Sequence, residues 1–552
     1  MIQDLSMVFG LCGGIGMFLY GMHIMGDGLQ KSAGSSMSHL LEVLTSNRLL
    51  AVGVGALVTA IIQSSGATTV MVVGFVNAGI MNLNQAVGII MGANIGTTIT
   101  AWIVSMNQLG GALELLNPTF WAPFLLGVGA FVMLFAKKQR RQMVGEILVG
   151  LGLLFIGLNL MSASIAPYTD SPIFAKAFAA LGGNPILGAL VGFLVTALLQ
   201  SSSASVGILQ SLAINGIVTT NAAVYITLGQ NIGSCVTALL SSAGAGKNAK
   251  RAAVIHLSFN ILGSLLFGIV LYLYFVMVNP VMAASHINAV QISIFHTFFN
   301  LINTLVLFPF ADKLVGLSQW VIKDEPETEK SQEYPAIHLD DRLLESPAVA
   351  VSSVLHEVVQ MGELVARNIR DSVECIRSRD TEKLKQVHAL ENHLDEVNDI
   401  LMAYLVKVSQ LALTEQQNHT VNNLFYTIND LERIGDHSDN IAEITEYMIA
   451  HDLSFSEMAL EEIVGVGNVV SVSVDAAVRA RRDKSMEDVR VVSKNEDRVD
   501  MLEEELREER IERLVQKQCQ PPAGVSFLDL LTNFERVSDH AYNIAGYVKD
   551  EM

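Results

Sequence analysis

The first 320 residues alternate long apolar stretches with short polar breaks. Apolar runs fall at about 5–30, 49–81, 84–107, 119–137, 142–165, 186–218, 222–242, 252–279 and 287–316. A helix of about 20 apolar residues crosses the hydrocarbon layer, so each run is a candidate membrane segment. After Trp320 the pattern changes. A charged, proline-broken stretch at 321–345 reads as a linker. Beyond it, apolar residues recur three and four apart with hardly any proline or glycine before Pro521-Pro522. That is the pattern of amphipathic helices around a soluble core. The expected fold is all-α: a polytopic membrane part at 1–320 and a helical domain at 346–552.

Two of the apolar runs, 49–81 and 186–218, are too long for one upright span. Each has a polar break near its middle, Gln63-Ser64-Ser65 in one and Gln200-Ser201-Ser202-Ser203 in the other. A hairpin that dips into the bilayer and returns fits such a break better than one long helix. The breaks belong to a duplication at an offset of 137: Thr59 matches Thr196, Gly92 matches Gly229, Asn94 matches Asn231 and Gly96 matches Gly233. Upstream, Gly21 matches Gly157 at an offset of 136. Repeat 1 covers about 5–137 and repeat 2 about 142–242, with 252–316 as extra helices. The histidines His23, His256, His286 and His296 read as isolated helix-contact or interface residues.

Charge orients the segments. Residues 1–320 carry 7 acidic and 11 basic side chains, net +4, and the remainder carries 47 and 24, net −23. Lys31, Arg48, Lys137, Lys138, Arg140, Arg141, Lys247, Lys250 and Arg251 fall in loops on one side, and only Lys176 falls opposite. Placing the basic loops in the cytoplasm puts the N-terminus outside and the C-terminal domain inside a cytoplasmic (inner) membrane. The first segment then reads as a retained helix, because residues 1–4 lack the basic region of a cleavable signal. The second repeat becomes inverted relative to the first, so the two Gln-Ser-Ser hairpins enter from opposite faces and meet near the midplane. Inverted repeats around a broken-helix site are the architecture of secondary transporters. No GxxxxGK[ST] loop points to ATP. The acidic C-terminal part argues against nucleic acid as a partner. Four scattered cysteines (Cys12, Cys235, Cys375, Cys519) form no CxxC pair.

Half-helix N-termini favour anions. Hydroxyls and amides donate to an anion or turn oxygen to a hard cation. Neither motif has a lysine or arginine nearby. A bound anion there would be compensated by dipoles or by a co-bound cation such as sodium, so the residues predict cation-coupled anion transport.

With Gly92-Ala93-Asn94-Ile95-Gly96-Thr97-Thr98 and Gly229-Gln230-Asn231-Ile232-Gly233-Ser234 following the two motifs, residues 5–316 resemble the type II sodium/phosphate cotransporter family. The resemblance implies sodium-coupled movement of inorganic phosphate, with Gln63, Ser64, Ser65, Gln200, Ser201, Ser202 and Ser203 at the phosphate site. Sodium is expected at Thr59, Thr68, Thr69, Asn94, Thr97, Thr98, Thr196, Ser205, Asn231 and Ser234. The pattern is broken at Gly66, where the second copy has Ser203, and at Cys235, where the first has Thr98. Sulfate or a carboxylate is the alternative anion.

The C-terminal part is duplicated too. Glu432-Arg433-Ile434-Gly435-Asp436-His437 matches Glu535-Arg536-Val537-Ser538-Asp539-His540 at an offset of 103, and Glu391 and Asp395 pair with Glu496 and Asp500 at 105. Carboxylates four apart share a helix face, and two such helices side by side concentrate charge that a multivalent cation relieves. All eight (Glu391, Asp395, Glu432, Asp436, Glu496, Asp500, Glu535, Asp539) are therefore candidate metal ligands. A membrane-anchored diiron-type enzyme would need a Glu-x-x-His spacing, which these pairs lack. The motifs over 346–552 resemble the PhoU family, which implies two three-helix bundles with a regulatory, metal-binding role. The expected partners are inorganic phosphate, sodium and the lipid bilayer, and a homo-oligomer is compatible with the sequence.

Overall fold

The computed structural model describes the chain except residues 1, 34–46, 109–117, 169–171, 324–336, 338 and 517–519. It forms two compact units: residues 1–335 with 340–349, and residues 336–339 with 350–552. The described residues are helical, and the one β-type pairing is an isolated bridge between Thr219 and His286. Nine described helices are long and apolar enough to cross a membrane, seven of them in the first unit. The other two, Pro347–Ser378 and Glu457–Asp483, have apolar faces buried inside the chain.

In the first unit, both overlong segments are broken helices. Asn47 caps α2 (Arg48–Ile62), and Asn184, followed by Pro185, caps α9 (Pro185–Leu199). Each helix ends on a glutamine in the left-handed region, Gln63 at φ 58° and Gln200 at φ 52°. A serine in extended conformation follows, and a second short helix begins: α3 (Ser65–Asn77) and α10 (Ser202–Ile214). Helices of 13 to 15 residues reach only about 20–23 Å at 1.5 Å per residue, short of a full span.

The expected single spans 84–107 and 222–242 each have a one-residue interruption, at Thr97 between α4 (Leu83–Gly96) and α5 (Thr98–Ser105), and at Ser234 between α11 (Thr220–Gly233) and α12 (Cys235–Ser242). The expected span 287–316 is likewise two helices, Ala289–Leu307 and Ala311–Val321, parted by a turn at Phe308-Pro309-Phe310. Proline at 309 explains that turn, since it cannot donate to the preceding helix.

The two repeats run antiparallel. α1 (Ile2–Ala33) packs on its counterpart α7 (Gln139–Ile165) through glycines, with Gly14 against Gly157 and Gly21 against Gly150. Gly14 and Gly21 are the duplicates of Gly150 and Gly157, so the contacts pair the copies in opposite order. That arrangement is a local twofold.

The shared glycines downstream are also packing devices. A Cβ at Gly92 would fall on the carbonyl oxygen of Val52, and one at Gly229 on that of Ala189. Close backbone approach is what small residues provide between membrane helices. The outer flanks carry exposed Phe124, Phe131, Leu134, Ile186, Leu190, Leu198, Leu265 and Ile269, a surface suited to lipid.

The linker expected at 321–345 is packed at its end. Asp340 through Val349 belong to the first unit, with a short turn at Asp341–Glu345 and Leu343 fully buried. The second unit holds six helices in two sets of three, and its duplicated helices also cross antiparallel. Asp430 on Glu415–Ala450 meets His540 on Pro521–Glu551 at 2.7 Å, and His437 meets Asn533 at 2.8 Å. The two histidine rings lie 5.9 Å apart at that crossing. A buried pair, Arg481 with Glu551 at 2.6 Å, adds a second polar tie.

Gly92→Ala and Gly229→Ala are expected to destabilise the protein by about 1–3 kcal/mol each, since overpacked cores must shift backbone. Gly53→Ala on α2 meets nothing within 4 Å and should be neutral. Thermal unfolding in detergent separates the two outcomes.

Candidate functional site

The two broken helices bring their breaks together. Ser65 Oγ lies 3.5 Å from Ser202 Oγ, a contact between duplicate residues on the local twofold. The backbone explains how. Left-handed glutamine followed by extended serine reverses the chain's hydrogen bonding within two residues, and the serine then caps the new helix. Ser64 Oγ accepts from Ala67 N–H at 3.1 Å and Ser201 Oγ from Ala204 N–H at 3.2 Å. Residues Ser64 and Ser201 have almost the same dihedrals, φ −144° with ψ 107° and 108°. The first N–H groups of a helix have no intrahelical acceptor, so those of Ser65, Gly66, Ser202 and Ser203 stay available beside the two hydroxyls. Two dipole-positive helix ends brought this close favour negative charge without a charged side chain.

The other predicted phosphate residues are not equivalent. Gln63 is buried and turned inward, its amide donating to Ala60 O and accepting from Thr100 Oγ1 at 2.9 Å. Gln200 is exposed. Ser203 is buried next to Ser202, and the equivalent Gly66 lies against Thr237 on α12.

Most predicted cation residues spend their hydrogens on their own helices and so present oxygen. Thr68 donates to Ser64 O at 3.1 Å, Thr69 to Ser65 O at 2.9 Å, Thr97 to Ala93 O at 3.0 Å and Thr98 to Ile95 O at 2.7 Å. Ser234 donates to Asn231 O at 2.7 Å, and the amides of Asn94 and Asn231 to Ile90 O and Thr227 O, both at 2.8 Å. Thr59 donates to Thr68 Oγ1 at 3.0 Å in the first copy. In the second copy the pattern changes: Ser205 accepts from Gln230 Nε2 at 2.9 Å, and the buried Thr196 hydroxyl has no protein partner. Gln230 was not among the sequence candidates, because its counterpart, Ala93, hides the position from a search for matched polar pairs.

A second omission is larger. His256 and His296, read above as isolated, open the same pattern, His-Leu-Ser-Phe-Asn and His-Thr-Phe-Phe-Asn, 40 residues apart. In both, the asparagine amide donates to the histidine carbonyl, Asn260 at 3.1 Å and Asn300 at 2.9 Å. All four side chains are buried, and Nδ1 of both histidines and Oδ1 of both asparagines have no protein partner. Asn260 also reaches Cys235 beside one interrupted helix, and Thr297 holds Trp102 beside the other at 2.9 Å. The two extra helices therefore share a pattern of their own. A search at one offset passes over it.

In the second unit, Glu496, Asp500 and Asp539 bring carboxylate oxygens within 4.8 Å of one another. That oxygen-only set fits a hard multivalent cation. Glu535 lies outside this triad and near Arg536, at 3.5 Å. In the first copy, Arg433 sits 3.1 Å from Asp436 and 3.6 Å from Glu432. Burial and then repulsion from Asp395, Asp439, Asp436 and Glu432 push the Glu391 carboxyl up to about 7. Burial followed by carboxylate neighbours also raises Asp395, Glu432, Glu496, Asp500 and Glu535. Asp439, which also pairs with His388, joins the first cluster without having been foreseen.

Residues 17–163 and 170–301 match the Na+/Pi-cotransporter family, and 358–445 and 463–548 match the PhoU domain. The chain belongs to the Na+/Pi-cotransporter family. It is 25% identical to the "Putative inorganic phosphate export protein YjbB" of Escherichia coli K12, over 98% of this chain and 97% of that one. It is 36% identical to human sodium-dependent phosphate transport protein 2B over 116 residues, 20% of this chain and 16% of that protein. The PhoU crystal structure from Pseudomonas aeruginosa is similar at 20% identity, covering 37% of this chain and 96% of that one with a TM-score of 0.35. The protein is thus a multi-pass membrane transporter of a phosphate-carrying family, with a PhoU domain, and not an enzyme.

A carboxyl whose folded pKa is raised binds more protons folded than unfolded, so its contribution to stability falls as pH rises between the two values. For Glu391 that window runs from the ordinary glutamate range to about 7. Without metal, the PhoU part should therefore melt lower at pH 8 than at pH 5.5. Glu391→Gln should reduce that difference, as followed by calorimetry of the full chain in chelator.

Proposed function

We propose that the protein is a sodium-coupled carrier of inorganic phosphate in the cytoplasmic membrane, with its N-terminus outside and its PhoU part in the cytoplasm. The observation that carries this reading is the meeting of Ser65 and Ser202 at two opposed helix N-termini. Phosphate is held there by the hydroxyls of Ser65, Ser202 and Ser203 and by the adjoining backbone N–H groups, with Ser64 and Ser201 as caps that aim those groups. Gln63 positions the first tip through Thr100, and Gln200 closes over the second.

Sodium neutralises the anion. The oxygens of Thr59, Thr68, Thr69, Asn94, Thr97 and Thr98 in one repeat, and of Thr196, Ser205, Asn231 and Ser234 in the other, suit a small hard cation. A site without lysine or arginine releases phosphate readily once sodium leaves, which is how coupling would follow from composition. The short helices on either side of each break are re-entrant hairpins, and exchange between the two faces is a rocking of one repeat against its inverted copy.

The PhoU part binds a multivalent cation and regulates the carrier. Glu496, Asp500 and Asp539, with Glu535 close by, form one site, and Glu391, Asp395, Glu432 and Asp436 form the other. The metal would supply positive charge that lets these carboxylates ionise together, so loading weakens as pH falls and protons compete.

Ser65→Ala and Ser202→Ala should each weaken phosphate transport about ten- to a hundredfold in affinity, the loss of one hydrogen bond of roughly 1.5–3 kcal/mol to a charged ligand. Proteoliposomes with radiolabelled phosphate and an imposed sodium gradient in each orientation measure this, and unchanged affinity in both variants would leave the tips as packing elements. Replacing Glu496, Asp500 and Asp539 with amides should remove one of the two multivalent-cation sites of the full chain while sodium-driven flux persists. Loss of all flux in a correctly inserted triple variant would make the triad part of the transport path.

A further inference from the structure

The stretch just before the PhoU part is bolted to the transport machinery at one place. Asp340, buried, accepts from Asn77 Nδ2 at 2.6 Å, at the far end of the hairpin helix that starts at Ser65. Asn77 Oδ1 in turn accepts from Gly246 N–H at 2.8 Å. Arg342 pairs with Asp340 at 2.7 Å and donates through Nε to the carbonyl of Ser241 at 2.8 Å, in the last turn of α12. Leu343 fills the notch left by Gly74, where a Cβ would come within 3.0 Å of it and 3.1 Å of Arg342. Ser346 accepts from Gln30 on α1 at 2.9 Å.

Two features make this more than a tether. Asn77 lies in repeat 1 and Ser241 in repeat 2, so residues 340–343 tie together helices that belong to opposite copies. The duplicates of Gly74 and Asn77 are Ser211 and Ile214, which offer neither the notch nor the amide. The seat therefore exists at one end of the twofold only. By the distribution of basic residues, that end is cytoplasmic.

We propose that residues 340–349 are an inhibitory latch that holds the cytoplasmic ends of the two repeats together. The carrier opens inward only when Asp340, Arg342 and Leu343 leave their seat. The latch reads directly into the PhoU part, because residues 347–349 are the first turn of helix Pro347–Ser378, whose later residues belong to the second unit. Asp340, Arg342, Asn77 and Gly74 are positioning residues: they bear on the rocking step and touch neither phosphate nor sodium. The inference rests on the carrier reading above.

The test uses the full chain in proteoliposomes, with wild-type phosphate flux measured first. Joining Asn77→Cys to Asp340→Cys with a short bis-methanethiosulfonate reagent, each disulfide forming with loss of methanesulfinate, should stop flux, and reducing the link with a dithiol should restore it. Asp340→Asn combined with Arg342→Gln should raise maximal flux about fivefold or more, as expected for removing a coupling of ordinary size. Arg342→Lys alone, which keeps the charge beside Asp340 but loses the Nε bond to Ser241, should raise flux less than the double variant does. Unaltered flux in the linked carrier, no linkage at all, or lowered or unchanged flux in the double variant would each overturn the latch. Wild-type protein that carries no phosphate would instead remove the carrier reading, which keeps the two failures apart.

Discussion

Everything in the membrane unit depends on two helix N-termini being held point to point. Each is made by one residue in an unusual conformation, Gln63 or Gln200, followed by a capping serine. A helix end inside a bilayer leaves backbone N–H groups unpaired, which is costly unless something accepts from them. The serines satisfy one such group per helix. Placing two such ends together concentrates partial positive charge in a low-dielectric region, which gives an anion a reason to enter.

The remaining architecture keeps those ends in register. Glycines let α2 approach α4 and α9 approach α11 at backbone distance, so the interrupted helices sit directly behind the tips. Glycines again let α1 cross α7 on the local twofold. Asn260 on Lys247–Met277 and Thr297 on Ala289–Leu307 bond the helix segments after the interruptions, at Cys235 and Trp102. Near-symmetric halves with close packing and reserve polar atoms are suited to exchanging one arrangement for its mirror in the other copy. The two halves also differ: Gln230, the counterpart of Ala93, bonds Ser205, and the docked segment lies beside Gly74 alone.

The PhoU part repeats the same construction in water. Duplicated helices cross antiparallel, with Asp430 and His540 on one side and Asn533 and His437 on the other. Carboxylates four residues apart are thereby set on matching faces. Burial first, and then mutual repulsion, hold these carboxyls above their ordinary range, and a cation is the simplest relief of the repulsion.

By itself the sequence determined the all-helical class, the change from membrane to soluble character after Trp320, the two duplications and the Gln-Ser-Ser pair. These are legible because they are local: apolar run length, spacing and repeated polar residues follow from chain periodicity alone. The meeting of Ser65 with Ser202, the inward turn of Gln63 and the role of Gln230 needed tertiary structure, since each depends on which distant helix lies opposite. The packing of residues 340–349 escaped for the opposite reason. Charge and proline made the stretch before it read as linker, yet a single buried leucine and an ion pair were enough to dock its end where a glycine left room. Only the fold could say that the room was there.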